Sequence, residues 1–360
     1  MKCWPSRAVT AWVSRVGMAP FIFAGIPTRV LFGDGRLAEA KTEAGRLGMK
    51  RPLVITGRQQ SGLGRDIAAG LGALHFDGAR MHTPVDITEQ AMKLVEGQGI
   101  DGTIAIGGGS AIGLGKAVAF RTGLPQLAVP TTFAGSEMTD ILGETSGGGK
   151  TTTRGASIQP ETVIYDPQML ATLPQRLAAT SGMNSMAHAV EALYAVDGNP
   201  IVSLLAEEGI RALASALPGG PSARAEALYG AWLCGTVLGS AAMALHHKLC
   251  HLLGGTFDLP HSETHAVILP HATAYNAIAA AGAMARIARA LGAGNAAQGL
   301  FDLAKSLGTP LSLGELGMPE EGLDQVADMA VANPYPNPRL LERNAIRELL
   351  DNAFHGRRPA

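Results

Sequence analysis

The chain has 360 residues, more than one ordinary domain, and two domains of roughly 100–200 residues each are expected. Charged residues make up only 16%, against about 25% in typical soluble domains, while glycine reaches 46 of 360. That balance points to buried helices and backbone-lined ligand loops. A formal net charge of −1 gives no electrostatic footprint for nucleic acid or an acidic membrane surface. Cys3, Cys234 and Cys250 show no paired spacing, so a reducing, cytoplasmic setting is expected.

Residues 1–17 carry Lys2, Arg7 and Arg15, no acid and no continuous apolar run, which does not read as a signal peptide. Met18-Ala-Pro-Phe-Ile-Phe looks like a natural start, so 1–17 is expected to be an extension outside the fold. From there to about Asp166, β-rich runs alternate with helical stretches. Strands are predicted at Arg51–Gly57, Gly102–Gly107, Leu127–Pro130 and Thr162–Asp166, with helices near 35–47, 63–72, 87–98 and 111–122. The alternation predicts a parallel, Rossmann-like sheet covered on both faces. Asp166-Pro167 and Leu173-Pro174 punctuate a boundary. A dinucleotide-binding α/β domain is therefore expected over 18–172 and an all-α catalytic domain over 173–360. Helices are predicted at 177–196, 201–216, 224–250, 262–292, 296–307, 321–332 and 339–355. Residues 227–247 lack Asp, Glu, Lys and Arg, long enough to span a bilayer. Yet Gly230, Gly235, Gly239 and Ser240 interrupt the run, and His246-His247 end it. A central buried helix, with no membrane, is the expectation.

Gly107-Gly108-Gly109-Ser110 follows a buried strand and opens a helix, a ready anion site or a tight βα turn. It is not the dinucleotide fingerprint, because position 112 is Ile. Nor is it a P-loop: Ala117 follows Lys116, and Ser110 stands where a glycine is needed. Pro130-Thr131-Thr132-Phe133-Ala134-Gly135-Ser136-Glu137 follows the next strand, offering the hydroxyls of Thr131, Thr132 and Ser136 to a ribose or phosphate beside it. Lys150-Thr-Thr-Thr-Arg154 is either a solvated hairpin or a cationic strand near an anionic ligand.

Six of ten histidines (His246, His247, His251, His261, His265 and His271) fall within 26 residues. His247 and His251 stand four apart and share one helix face, as do Asn184 and His188. His261 sits in Leu-Pro-His-Ser-Glu, a turn opening another helix. Polar pairs embedded in apolar helices imply a buried polar pocket, costly unless it is used. Three imidazoles could hold zinc or ferrous ion, but position 184 offers a weak amide where a carboxylate is wanted. Without metal, the same residues form a pocket for an anionic substrate, with Lys248 adding a cation. Cys250 reads as a small core residue rather than a nucleophile.

At these residues the chain resembles the iron-containing alcohol dehydrogenase superfamily, whose architecture is dehydroquinate synthase-like, over essentially everything from Met18 onward. Gly107–Ser110 matches its phosphate loop, and Pro130–Glu137 its nucleotide loop, one residue short. Its Asp-x-x-x-His becomes Asn184-x-x-x-His188; its later metal histidines fall on His247 and His261, and the histidine near the nicotinamide on His251. Within that superfamily the chain is most similar to the maleylacetate reductases, in Ala134-Gly-Ser-Glu-Met-Thr139, Ser181-Gly-Met-Asn184, His188-Ala-Val-Glu-Ala-Leu-Tyr194 and Gly254-Gly-Thr-Phe-Asp-Leu-Pro-His261.

The resemblance implies reduction of maleylacetate, or chloromaleylacetate, to 3-oxoadipate in aromatic-compound catabolism. It implies NADH or NADPH, no obligatory metal, a small dicarboxylate substrate and a homodimer. His247 would be the main electrophilic donor, with Asn184, His188 and His261 around it. Tyr335, in Asn333-Pro-Tyr-Pro-Asn-Pro338, would close over the pocket as a proton donor or be a turn aromatic. Gly57-Arg58 ends a strand where relatives carry an Asp, so Arg58 is expected near a 2′-phosphate, with NADPH tolerated. The alternative is a metal-dependent alcohol or hydroxy-acid dehydrogenase of the same superfamily.

Overall fold

The structure, a computed structural model, describes residues 20–360 except Gly148, and of Lys150 only the backbone. Residues 1–17 and Met18 lie outside the described residues. Eight strands are present among those described: β1 (Arg29–Phe32), β2 (Pro52–Gly57), β3 (Leu74–Ala79), β4 (Gly102–Gly107), β5 (Gln126–Pro130), β6 (Ile141–Ser146), β7 (Gly149–Arg154) and β8 (Thr162–Tyr165). Six of them form one sheet in the order β1-β8-β5-β4-β2-β3, and every pairing in it is parallel.

Helices α1 (Ala40–Arg46), α2 (Ser61–Leu71), α3 (Val85–Gln98) and α4 (Gly109–Thr122) connect these strands. Side chains of a strand alternate between faces, and the packing follows that period. Leu53 and Ile55 pack with Ile87, Leu114 and Val118, whereas Val54, Ile104 and Ile106 pack on the other face with Ala44 and Ala68. Both faces are covered, which is why β2, β4 and β5 read as nearly continuous apolar runs.

The edge strands β1 and β3 and the hairpin strand β6 escape the sequence reading. β1 and β3 are half-exposed edges, and β3 carries His75, Asp77 and Gly78. β6 and β7 form an antiparallel hairpin, the solvated-hairpin reading of that segment.

The sheet ends at Tyr165, and the long helices begin at Gln175. They are α5 (Gln175–Ala192), α6 (Pro200–Ala216), α7 (Arg224–Ser240), α8 (Leu245–Phe257), α9 (His261–Ala277), α10 (Ala281–Leu291), α11 (Ala296–Ser306), α12 (Gly322–Ala332) and α13 (Arg343–Phe354). Two of the expected long helices are each two. The 224–250 stretch breaks between Ser240 and Leu245 and bends by 94° there. The 262–292 stretch breaks after Ala277. Among the described residues no single helix is long and apolar enough to cross a membrane.

One apolar core runs through both halves, joining Ala105, Val163 and Tyr165 of the sheet to Met183, Val190 and Leu213 of the helices. A second lies among α8, α9, α12 and α13, built on Leu249, Leu253, Ile268, Leu323 and Leu350. The first core fixes α5 and α7 against the carboxyl edge of the sheet. The second holds α8 and α9, which carry the histidines.

Candidate active site

β4 lies between β5 and β2, so the segments that follow these three strands meet at the carboxyl edge of the sheet. That is where ligands bind in open parallel sheets. A cavity of about 760 Å³ occupies the place. Its α/β wall includes Gly57–Gln60 after β2, Gly107–Ala111 at the start of α4, and Thr132, Ala134 and Ser136 after β5. α4 opens without a side-chain cap at Gly108, leaving its first N–H groups for a ligand. A Cβ on Gly108 would stand 2.9 Å from Thr132 Cγ2, so the two loops touch in a way that only glycine permits. Thr131 is buried and is not among the cavity-lining residues.

Lys116 pins the second loop. Its buried ammonium donates to the carbonyl of Thr139 (2.7 Å), to Thr139 Oγ1 (2.8 Å), to the carbonyl of Ile141 (3.1 Å) and to that of Ser136. Burial pushes its pKa down to about 7, with Glu137 and Asp140 opposing the fall. The β6–β7 hairpin borders the same cavity through Ile141–Gly143. Of the residues expected to be cationic there, Arg154 instead pairs with Asp140 at 2.7 Å. The side chain of Lys150 lies outside the described residues.

The helical wall of the cavity consists of Leu177, Ser181, Asn184 and His188 on α5, Leu238 on α7, and His261 and Ser262 at the start of α9. Asn184 and His188 lie one turn apart on α5 and face the cavity together. His261 is the first residue of α9, as its Leu-Pro-His context predicts. His247, 7% exposed, stands one side chain behind, its ring 5.2 Å from that of His188. Asn184 Oδ1, His188 Nδ1 and His247 Nε2 are all buried with no hydrogen-bond partner. Burial, reinforced by His247 and His261, holds His188 well below the usual imidazole range, so it is neutral at pH 7.

The sequence reading missed Glu191. It is fully buried on α5 and reaches the start of α8, where it accepts the N–H of Ala244 (2.9 Å), of His246 (2.8 Å) and of His247 (3.3 Å). It also contacts His247 Nδ1 at 2.7 Å. α8 has no side-chain cap of its own; this carboxylate from another helix takes that role. The signal was available: between Arg176 and Glu191 the chain has no charged residue.

Behind this row His246 Nε2 and His265 Nδ1 lie 2.9 Å apart, with Cys250 Sγ 3.7 Å from His246. Burial pushes the Cys250 thiol well up, as a core cysteine requires.

Three further residues are not gathered at the cavity. His251 is exposed one turn along α8, its ring 6.2 Å from that of His247, and is not among the cavity-lining residues. Lys248 Nζ lies 5.7 Å from the ring centroid of Tyr335. Tyr335 packs on the second core, and burial, with Glu191 and Tyr275, raises its phenol. No closure over the cavity is seen for Tyr335, since its ring is held by apolar contacts beside α8.

Asn184, His188, His247 and His261 are the residues that would hold a metal ion here. They bring three imidazoles and an amide with no anionic ligand. Among the described residues, the His, Cys, Asp or Glu group whose ligand atoms gather within 4.8 Å is His246–Cys250–His265, outside this wall. Three imidazoles can hold zinc, and the amide in place of a carboxylate leaves the set without formal negative charge, which also admits an anion.

Two family descriptions match: iron-containing alcohol dehydrogenase over residues 27–167, and the C-terminal part of the iron-containing alcohol dehydrogenase family over 178–354. The chain is 53% identical over 352 residues to a maleylacetate reductase of Burkholderia cepacia, covering 95% of this chain and 100% of that protein. It is 51% identical over 351 residues to one of Rhizobium sp. strain MTP-10005, covering 95% of this chain and 100% of that protein. The crystal structure of maleylacetate reductase from Agrobacterium tumefaciens superposes with a TM-score of 0.92 at 51% identity, covering 95% of this chain and 100% of that one. A 1,3-propanediol oxidoreductase superposes with a TM-score of 0.87 at only 26% identity, covering 93% and 100%. With its parallel sheet, helical second half and dehydroquinate synthase-like architecture, the chain belongs to the iron-containing alcohol dehydrogenase family.

Proposed function

We propose that this chain reduces the C=C bond of maleylacetate, and of chloromaleylacetate, to the 3-oxoadipate skeleton with NADH or NADPH, as a step of aromatic-compound catabolism. One observation carries the reading: a single cavity joins the glycine loop at the start of α4 to the Asn184–His188–His261 wall. The identity of about half the residues to maleylacetate reductases across nearly the full length supports that substrate over an alcohol.

The N–H groups at the start of α4 would hold the dinucleotide's phosphates, and Thr132 and Ser136 would offer hydroxyls beside them. Arg58, in the cavity wall after β2, would meet a 2′-phosphate, which is the ground for accepting NADPH. The nicotinamide supplies a hydride to the conjugated C=C bond. Asn184, His188 and His261 bind the ketone oxygen and a carboxylate, stabilising the enolate charge that develops on that oxygen. His247 stands behind them as the proton source: its imidazolium would pass a proton from Nε2, by way of the adjacent His188 ring, to the substrate carbon and be left neutral. His251, Lys248 and Tyr335 are outside the cavity lining and take no part in this account. This account reads the wall as a substrate site and routes no step through a metal.

The chain acts in the cytoplasm, a compartment supported by the free, buried Cys234 and Cys250. A second copy is its partner, supported by the edge position of β1 and the exposed Phe21, Ile22 and Phe23 just before it. The deciding assay mixes purified protein, NADH and maleylacetate and identifies the product by chromatography. 3-Oxoadipate formation is expected; inertness toward maleylacetate with turnover of simple aldehydes would overturn the reading.

A further inference from the structure

We propose that Arg80 is a specificity-determining residue of this site: with Arg58 it seats a third phosphate of the cofactor, the 2′-phosphate that distinguishes NADPH from NADH. The inference rests on the reading of the cavity as a dinucleotide site and adds to it a residue from the neighbouring strand. β2 and β3 are parallel neighbours, and Gly57 pairs with Ala79 at their carboxyl ends. Arg58 and Arg80 are the residues that follow this pair, so two cations leave the sheet side by side. Both are exposed, and both line the cavity.

Among the described residues neither guanidinium forms an ion pair. The acid on these two strands, Asp77, is engaged elsewhere: Ser61 donates its hydroxyl to Asp77 Oδ2 at 2.7 Å, and Arg65 donates to that hydroxyl at 2.8 Å. The Ser61 bond is the main cause that holds the Asp77 carboxyl low, and Arg58 the least. Two cations facing one cavity repel each other, and an anion between them relieves the repulsion. In open parallel sheets the strand beside the glycine loop ends near the ribose 2′-hydroxyl, where an arginine accommodates a 2′-phosphate. The pyrophosphate belongs to the start of α4, after β4, with β2 one strand away and β3 two. At about 4.8 Å per strand, the arginines lie roughly 5–10 Å along the sheet from it. NADH has no phosphate to put there; NADPH has one.

The turn that carries Arg80 is held in place. His82 and Thr83 both have positive φ, +63° and +45°, uncommon for any residue but glycine and costly for a β-branched one. Thr145 on β6 clamps them, donating its N–H to the Thr83 carbonyl (3.3 Å) and its hydroxyl to the His82 carbonyl (3.2 Å). On the other side Thr83 is wedged against α4: a Cβ on Gly113 would stand 2.4 Å from Thr83 Oγ1. Backbone strain held in this way clusters at ligand clamps. Here it fixes Arg80–Thr83, all four of them lining the cavity, against the helix that opens the phosphate site.

Calorimetric titration of the full chain with NADPH and with NADH tests the seat, in wild type, Arg80→Ala, Arg80→Lys and Arg58→Ala/Arg80→Ala. Arg80 is exposed, so its replacement leaves the apolar cores intact. The ratio of NADPH to NADH affinity should fall about tenfold in Arg80→Ala, the loss of one charge-assisted phosphate contact. Arg80→Lys keeps the cation and should recover most of that ratio, and the double variant should fall below Arg80→Ala. A ratio within about twofold of wild type in Arg80→Ala would overturn the proposal. So would an equal loss for both cofactors, which marks general attraction of anions rather than a seat for the 2′-phosphate. If wild type bound neither cofactor, the dinucleotide reading itself would fall and the role of Arg80 with it.

Discussion

Gly135 and Gly235 touch backbone to backbone. A Cβ built on Gly235 would stand 2.6 Å from the carbonyl oxygen of Gly135 and 2.9 Å from its Cα. Gly135 belongs to the loop after β5 and has a φ of +76°; Gly235 lies inside α7. The loop after β5 in the α/β half is thus seated directly on a helix of the other half. This explains a glycine within an apolar helix, where it otherwise costs about 1 kcal/mol.

Gly235→Ala should therefore destabilise the fold despite a better helix propensity, by about 1–3 kcal/mol of overpacking. It should also raise KM for NADH, because the loop carrying Thr132 and Ser136 must move. Thermal melts and steady-state kinetics check both effects. An unchanged melting temperature would mean that the contact yields freely.

His247→Ala removes the proposed proton source. A general acid contributes about 10²–10⁴-fold, so kcat should fall by at least about a hundredfold while both substrates still bind. Turnover near that of wild type would show that the proton comes from elsewhere.

Arg58→Ala tests cofactor choice. The variant should lose about tenfold or more in kcat/KM for NADPH and little for NADH, since a guanidinium–phosphate contact is worth more than one kcal/mol. A thousandfold preference for NADH in the parent, unaltered in the variant, would contradict the role assigned to Arg58.

Buried histidines set the acid limit of the fold. Burial pushes His271 from 6.5 down to about 4. Above pH 6.5 the ring is neutral whether folded or unfolded and contributes no pH dependence. Below it the unfolded chain takes up a proton that the folded ring refuses until about pH 4. Stability therefore falls with pH across that window, by about 3 kcal/mol from this residue. His188, His246 and His265 are lowered for the same primary reason and add to the loss. Urea melts at about pH 7.5 and pH 5.5 should differ accordingly; coincident curves would contradict the burial argument.

The sheet and its ligand edge were legible because β2, β4 and β5 are buried on both faces and lead straight into glycine-rich segments. β1 and β3 were not, because edge strands need only half an apolar pattern. The break between α7 and α8 has no local signal, since Ala241–Ala244 contains neither proline nor glycine; Glu191, distant in sequence, caps the new helix. The four-residue spacing of Asn184 and His188 placed both on the cavity wall. The same spacing for His247 and His251 did not, because the direction of α8 is set by that cap and by the second core.

The most direct test follows the reduced-nicotinamide absorbance after EDTA-treated protein is mixed with maleylacetate and NADH. The account predicts rapid oxidation of NADH with no metal added. No turnover until zinc or ferrous ion is restored would contradict it and give Asn184, His188, His247 and His261 a metal to hold.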